Sequence, residues 1–505
     1  MSVPHISGEP VFSRAEVLSI IAGLMLAMFL ASLDQTIVAT SLSSIARDLQ
    51  GWQWMPWVVS AYLVTSTITT PIYGRLSDLY GRRPILLTAI GLFVVASVQC
   101  ALAQTMPQLI AARAIQGVGG GGLRSVSLAA IADIIAPRDR GRYQGYFSAN
   151  FAVSNALGPV LGGFFADTLS WHWIFWINLP LGLAAFLLSS RALARLRKPA
   201  GRRTIDWLGA FLILASTTPI LIGVDNAERS GGWLTRGALG PIAVGLLVAA
   251  ALILWERVAP EPMLPLRLFR NPVFSVAIAV ITLISAVLVG LVILIPLNYQ
   301  LVAGVQPEAA GARLIPFTLG TVAGSGMAGI LVGRTGRYKL LLIIGTVGAT
   351  AACAVTAAIG LGQSLLFDVL CTAFLGTALG FQLSPISVTI QNAVHWQDTG
   401  VGMSCLLFFR LIGGALGVAL LSTILIGNLT SGALATPGHE VLGPSPGLAL
   451  FHLEESRPQL TPELLAALSV TIRRAFARVF WAATVILALS VVATLFLREV
   501  PLRDR

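Results

Sequence analysis

Fourteen apolar runs of roughly 18 to 27 residues follow one another along the chain, separated by short charged or Pro/Gly-rich breaks. Each is long enough to cross the ~30 Å hydrocarbon core of a bilayer as a helix. Water is the wrong solvent for such a chain. Hydrophobic residues make up 56% of the 505 positions and charged residues 11%, too little polar surface to cover a soluble globule. Within lipid every backbone polar group needs an internal partner, so the predicted fold is an all-α membrane protein. Fourteen spans of about 20 residues use roughly 300 positions and leave roughly 200 for loops and tails. Fifty glycines and eleven tryptophans agree, because small residues let helices approach in lipid and Trp favours the interface.

The net charge of +11 would suggest nucleic acid in a soluble chain, but here the basic residues sit mainly in short loops. With the N-terminus inside, about 22 of the 33 Lys/Arg fall on the cytoplasmic side and about 6 outside, so the positive-inside rule predicts both termini in the cytoplasm. The densest basic stretch, Arg191 to Arg203, reads as a topology anchor at anionic lipid heads. Cys100, Cys353, Cys371 and Cys405 lie in apolar runs and are expected to be reduced packing residues. The first run is long enough to span, with no A-x-A site close behind it, and is expected to stay as the first helix.

The predicted organisation is a cytoplasmic tail (1–14), an N-terminal six-helix bundle (15–191), a basic linker with two additional transmembrane helices (192–272), and a C-terminal six-helix bundle (273–497) with an extracytoplasmic loop at 427–472, followed by a cytoplasmic tail (498–505). A weak internal repeat supports two related halves. Gly74-Arg-Leu-Ser-Asp-Leu-Tyr-Gly-Arg-Arg83 follows the second run, and the degenerate Gly329-Ile-Leu-Val-Gly-Arg-Thr-Gly-Arg-Tyr338 follows the tenth. Repeated halves frame a substrate site near the bilayer midplane in many transporters.

The first copy joins two turn glycines, Gly74 and Gly81, to the carboxylate of Asp78 and the cations Arg75, Arg82 and Arg83. An acid between two helix ends can engage a neighbouring helix N-terminus or an arginine, a contact that breaks when halves move. This run resembles the cytoplasmic loop motif of the major facilitator superfamily, which implies a conformational latch; Gly333 stands in the second copy where Asp78 stands in the first. In the fifth run, Ala156-Leu-Gly-Pro-Val-Leu-Gly-Gly163 places Gly158, Pro159, Gly162 and Gly163 in a span and resembles the superfamily's antiporter motif, with Ser154 where the family often has a further glycine. Gly117-Val-Gly-Gly-Gly-Gly122 formally satisfies G-x-G-x-x-G, but it lies in an apolar helix without the preceding strand a dinucleotide site needs, so close helix packing is expected.

Ionisable residues inside spans are expensive and are functional candidates by default. Asp34 lies about 25 Å from the inner end of its helix and Arg113 about 9 Å from the outer end of the fourth, so the two share a depth. They form either a static ion pair or a proton-exchanging carboxylate tuned by an arginine. The surrounding Leu33-Asp-Gln-Thr-Ile-Val38 and Arg113-Ala-Ile-Gln-Gly117 resemble motifs of the 14-helix drug:proton antiporter family, the EmrB/QacA group. The resemblance continues through Pro137–Gly145, Trp171–Pro180, Gln391-Asn392 and Phe409–Gly417, and so covers nearly the whole chain. It implies a major facilitator fold of two six-helix bundles plus two central helices, a monomer in a bacterial plasma membrane, and proton-driven efflux of lipophilic drugs by alternating access. Gln116, Arg124, Gln391 and Arg410 are candidates for cavity or pairing roles.

One departure bears on the substrate. Arg124 is 11 residues from Arg113, almost three turns, and relatives more often carry an uncharged residue there. Arg113, Arg124 and Arg410 then face one deep acid, Asp34, which leaves neutral or anionic lipophiles open unless Arg124 and Arg410 pair with carboxylates or carbonyls. Export of an endogenous lipid, siderophore or metabolite is the alternative function. Enzymatic chemistry is not expected, since no H-E-x-x-H motif occurs in the sequence and neither lysine, Lys198 or Lys339, follows a phosphate-loop glycine. No cofactor, metal or nucleic-acid partner is expected.

Overall fold

The structure, a computed structural model, describes residues 14–51, 54–134, 150, 153–154, 157–158, 161–165, 168–195, 206–230, 233, 235–260, 262, 264–305, 307–362, 364–395, 398–436 and 462–501. Among these residues the regular structure is helical throughout, with no strand. The long helices are α1 (Arg14–Asp48), α2 (Met55–Tyr80), α3 (Arg82–Ala101), α4 (Met106–Ile134), α5 (Asn178–Ala192), α6 (Trp207–Ser230), α7 (Arg236–Glu256), α8 (Pro272–Ala303), α9 (Ile315–Thr335), α10 (Tyr338–Ile359), α11 (Leu365–Ala393), α12 (Thr399–Leu434) and α13 (Pro462–Leu495). Polar residues mark several starts: the side chains of Thr235, Asn271 and Ser364 accept from the first free N–H groups of α7, α8 and α11.

Eleven helices among the described residues are long and apolar enough to cross a membrane. The sequence predicts fourteen spans. Two of the other three predicted spans, 54–73 and 107–134, lie on α2 and α4, which have 26 and 29 residues but do not meet the apolar standard. Their polar content has a physical reason. These helices bury Ser66, Thr67 and Thr70, and Arg113, Gln116, Ser125 and Ser127, against other helices, and a helix face shielded from lipid need not be apolar. The third falls on 143–166, largely outside the described residues, as do Pro137–Gly145, most of the Arg191–Arg203 run, the tail 1–13 and residues 437–461. Both ends of the predicted 427–472 loop are helical, since α12 continues to Leu434 and α13 begins at Pro462.

The chain forms two compact units. The first comprises Met1–Ala136, Asn150–Ile205 and the short segment His395–Ser404; the second comprises Pro137–Ala149, Asp206–Val394 and Cys405–Arg505. In the first unit α4 packs along α2 and α3, and α5 packs along α1 and α3. The Gly117–Gly122 run makes this possible. A Cβ on Gly119 would stand 2.7 Å from Phe93 N and one on Gly121 2.6 Å from Ser66 O, while Gly117 and Gly120 meet Tyr62. Those glycines remove side chains so that backbones can touch, and the nucleotide motif they mimic has no strand here.

The second unit repeats the device reciprocally. Gly320 and Gly324 of α9 abut the backbone of α11 at Ala373 and Thr377, and Gly376 and Gly380 of α11 abut Phe317 and Thr321 of α9. All four cysteines are free thiols. The two motif copies share one backbone feature: Gly81 between α2 and α3 and Gly336 between α9 and α10 both have positive φ, 93° and 67°.

Candidate functional site

In the first unit, α1 carries Asp34 and α4 carries Arg113 and Gln116 one turn apart, on the same face. Arg113 Nη1 donates to Asp34 Oδ2 at 2.5 Å and to Gln116 Oε1 at 2.8 Å, while Gln116 Nε2 donates to Asp34 Oδ1 at 2.9 Å. Arg113 Nε donates to the Val58 carbonyl, and its guanidinium lies 4.4 Å from the centre of the Tyr62 ring. The acid is 0% exposed and the arginine 1%, so neither charge is solvated by water. Such a pair persists only because each partner supplies the other's counter-charge and hydrogen bonds.

Asn178 completes the cluster. It begins α5, and its Nδ2 donates to Asp34 Oδ1 and to Ser97 Oγ, each at 2.9 Å, while Ser97 Oγ donates to the Phe175 carbonyl. Sequence reasoning missed Asn178 and Ser97. The available signal was an asparagine in the first turn of an otherwise apolar span. The preceding aromatic run fixes this helix start: Trp171 Nε1 donates to Asp48 Oδ2, and Trp171 stacks on His172 with ring centres 3.7 Å apart. Ahead of the span, burial holds the His172 imidazole below its ordinary range, with the Asp48 carboxylate opposing.

Arg124 lies elsewhere on α4. Its Nη2 donates to the Ala31 carbonyl at 3.0 Å and to Gln35 Oε1 at 2.7 Å, and the side chain is half-buried. Gln391, buried in α11, and the half-buried Arg410 of α12 belong to the second unit. Asp133 accepts from Arg82, and Asp368 in the first turn of α11 accepts from Gly362 N.

The Gly74–Arg83 motif is mostly helix. Gly74 lies within α2 and is not a turn glycine, which corrects the sequence expectation; a Cβ there would run into Ser404 and stand 2.9 Å from the Gly400 carbonyl. Close packing is its physical role, and Gly81 alone makes the turn of this motif. Asp78 Oδ2 accepts from Val401 N at 2.9 Å, in the first turn of α12, where N–H groups lack helical partners. Asp78 Oδ1 lies 2.5 Å from Arg82 Nη1, and Arg82 also reaches Ser77 and Asp133 at 2.7 Å. Arg75 is buried, whereas Arg83 is exposed.

In the antiporter-like run, a Cβ on Gly158 would overlap Thr36, whose Oγ1 donates to the Ser154 carbonyl at 3.1 Å. The Gly162 carbonyl accepts from Ser41 Oγ, and Gly163 has open space at its Cα. The serine at position 154 is buried and folds its hydroxyl back onto the Asn150 carbonyl, so it fits the helix contact without a glycine. Pro159 lies outside the described residues.

The model of the Major Facilitator Superfamily matches residues 24–418. The chain belongs to the Major Facilitator Superfamily. An uncharacterized transporter of this superfamily from Mycobacterium tuberculosis (strain ATCC 25618 / H37Rv) is 32% identical over 507 residues, covering 99% of this chain and 72% of the relative. The multidrug transporter protein MdtP of Bacillus subtilis (strain 168) is 32% identical over 83% of this chain and 76% of its own. Among solved structures, the human organic anion transporter MFSD10 (TETRAN) superposes with a TM-score of 0.62 at 16% identity, over 93% of this chain and 99% of that one, a likeness of fold. The protein is thus a multi-pass, all-helical facilitator-superfamily transporter with multidrug-transporter relatives. Within that superfamily fold, the Asp34 cluster is an ion pair between α1 and α4, with further contacts from α2, α3 and α5 of the same unit.

Proposed function

We propose that the chain is a proton-coupled antiporter that expels lipophilic compounds by alternating access, with a plasma-membrane location and both termini in the cytoplasm. The proposed frame is the fourteen-helix one: bundles 15–191 and 273–497 with two further helices in 192–272. One observation carries the proton-coupling reading. A single carboxylate, Asp34, is held fully buried among donors from two other helices, α4 and α5, with Arg113 as its counter-charge. Protonating such a group removes the reason for Arg113 to stay, so gain and loss of one proton changes which arrangement of helices is favoured. A proton moving down 100 mV releases about 2.3 kcal/mol, enough for one carboxylate to drive concentrative export.

Asp78 supplies the conformational contact in this scheme. Its bond to the first turn of α12 is electrostatic and reversible, held in place by Arg82.

Relatives named as multidrug transporters support efflux of drug-like compounds as the activity. The test is flux of a lipophilic dye in proteoliposomes with the pH gradient and voltage set separately. Wild type is expected to concentrate dye against its gradient when protons run the other way, and Asp34→Asn to lose that accumulation. Full gradient-driven accumulation by Asp34→Asn removes the coupling role.

A further inference from the structure

The first unit contains a half-buried guanidinium, that of Arg124, whose charge the network around Asp34 does not balance. Asp34 and Arg113 neutralise each other, and the acid's oxygens already receive Arg113, Gln116 and Asn178. Arg124 stands 11 residues beyond Arg113 along α4, about 16 Å along the helix axis, and its guanidinium reaches α1 at Ala31 and Gln35, on either side of Asp34 in the chain, without an ion pair to that carboxylate. Its hydrogen-bond partners are the Ala31 carbonyl and the Gln35 side-chain carbonyl, both neutral. No described carboxylate lies within ion-pair distance of it, and among the described residues neither Nε nor Nη1 donates to a protein acceptor.

The position is nevertheless firmly set. Ala31 O also accepts from the buried Tyr62 hydroxyl at 3.3 Å, so one carbonyl anchors two helices and aligns the guanidinium plane. Gln35, half-buried like Arg124, holds Nη2 from the side, and among the described residues Nε and Nη1 are left as single donors without a protein acceptor. A carbonyl and an amide need only a neutral donor to tie α1 to α4. A permanent cation there, in a membrane helix, has a cost that the tie does not explain. Charged N–H donors of this kind form charge-assisted hydrogen bonds to the oxygens of carboxylate, sulfonate and phosphate groups.

We propose that Arg124 is the anion-recognition residue of the substrate site, so that lipophilic anions are among the exported compounds, an inference that rests on the exporter reading above. The apolar part of such a compound partitions from the bilayer, and its oxyanion accepts from Nε or Nη1 of Arg124 while Gln35 keeps the guanidinium oriented. Asp34 remains the proton-linked group.

The test uses the purified full-length protein in nanodiscs of neutral lipid, with empty nanodiscs as the partition control. Three probes are compared: 8-anilinonaphthalene-1-sulfonate, N-phenyl-1-naphthylamine, which has the same rings without the sulfonate, and tetraphenylphosphonium. Arg124→Met is expected to weaken sulfonate binding about 10- to 100-fold, leave the neutral amine within about twofold, and leave or improve the cation. Arg124→Lys is expected to fall between, since it keeps the charge but not the planar guanidinium that holds Ala31 and Gln35 while presenting further donors. Gln35→Glu guards against misfolding of the Met variant: it keeps the guanidinium but supplies an internal carboxylate, and is expected to lose the sulfonate preference as well. Equal weakening of all three probes, or wild-type binding of the sulfonate no tighter than of the amine, overturns the proposal. Gradient-driven flux measured on the same preparations separates the two readings. Arg124-dependent anion binding without flux removes the exporter reading, whereas flux with no Arg124-dependent anion preference removes this one.

Discussion

Asp34 and Arg113, 79 positions apart in the chain, meet at 2.5 Å with side chains 0% and 1% exposed. Each charge is therefore stable in the protein interior only while the other is present. Replacing Arg113 with Met is expected to destabilise the purified protein by about 3–5 kcal/mol, because it leaves a buried carboxylate uncompensated. Arg113→Met combined with Asp34→Leu is expected to regain most of that loss. Thermal unfolding in detergent, read by tryptophan fluorescence, checks the pair; a double variant as unstable as the single one defeats the mutual-compensation account.

Asn178 bridges Asp34 and Ser97 with one amide nitrogen. Asn178→Ala is expected to cost about 1–3 kcal/mol through the two lost bonds. Asn178→Asp is expected to cost more, since it sets a second carboxylate against Asp34 in place of a donor. Equal unfolding temperatures for Ala and Asp would indicate that Asn178 acts by packing alone.

Asp78 carries both a backbone bond to Val401 and an ion pair to Arg82. Asp78→Asn retains an acceptor for the N–H and removes the charge. Turnover is expected to fall at least fivefold with the substrate concentration for half-maximal rate nearly unchanged, because the group acts on the conformational step and not on the compound. A change confined to apparent affinity would place Asp78 in substrate binding instead.

Gly119 and Gly121 let α4 touch α3 and α2. Gly121→Val is expected to cost about 1–3 kcal/mol or more by overpacking against Ser66 and Thr69, whereas Gly163→Ala, with open space at its Cα, is expected to be neutral within about 0.5 kcal/mol. Melting temperatures of the two variants, compared with wild type, measure the difference directly.

The residues that could be assigned from the linear chain are those whose meaning is local. Apolar length and the lipid's demand for satisfied backbone groups determined the all-helical fold. Helical rise placed Asp34 and Arg113 at one depth, close enough to nominate them as partners. The Gly117–Gly122 run could be read as helix packing because no strand precedes it.

Tertiary structure decided what depends on neighbours distant in sequence. A glycine reads alike in a turn and in a helix contact, so only the approach of Ser404 and Gly400 shows that Gly74 is a packing glycine and Gly81 the turn. Hydropathy reports contact with lipid, and α2 and α4 are shielded by other helices, so their polar faces made sense once their partners were in place. Asn178 looked like one polar residue in an apolar span until α5 brought its amide to Asp34. The chain alone determined which segments are helices and which charges lie at the same level. Direction around each helix axis, and therefore whether a charge meets a carboxylate as Arg113 does or neutral oxygens as Arg124 does, was decided only when the helices packed.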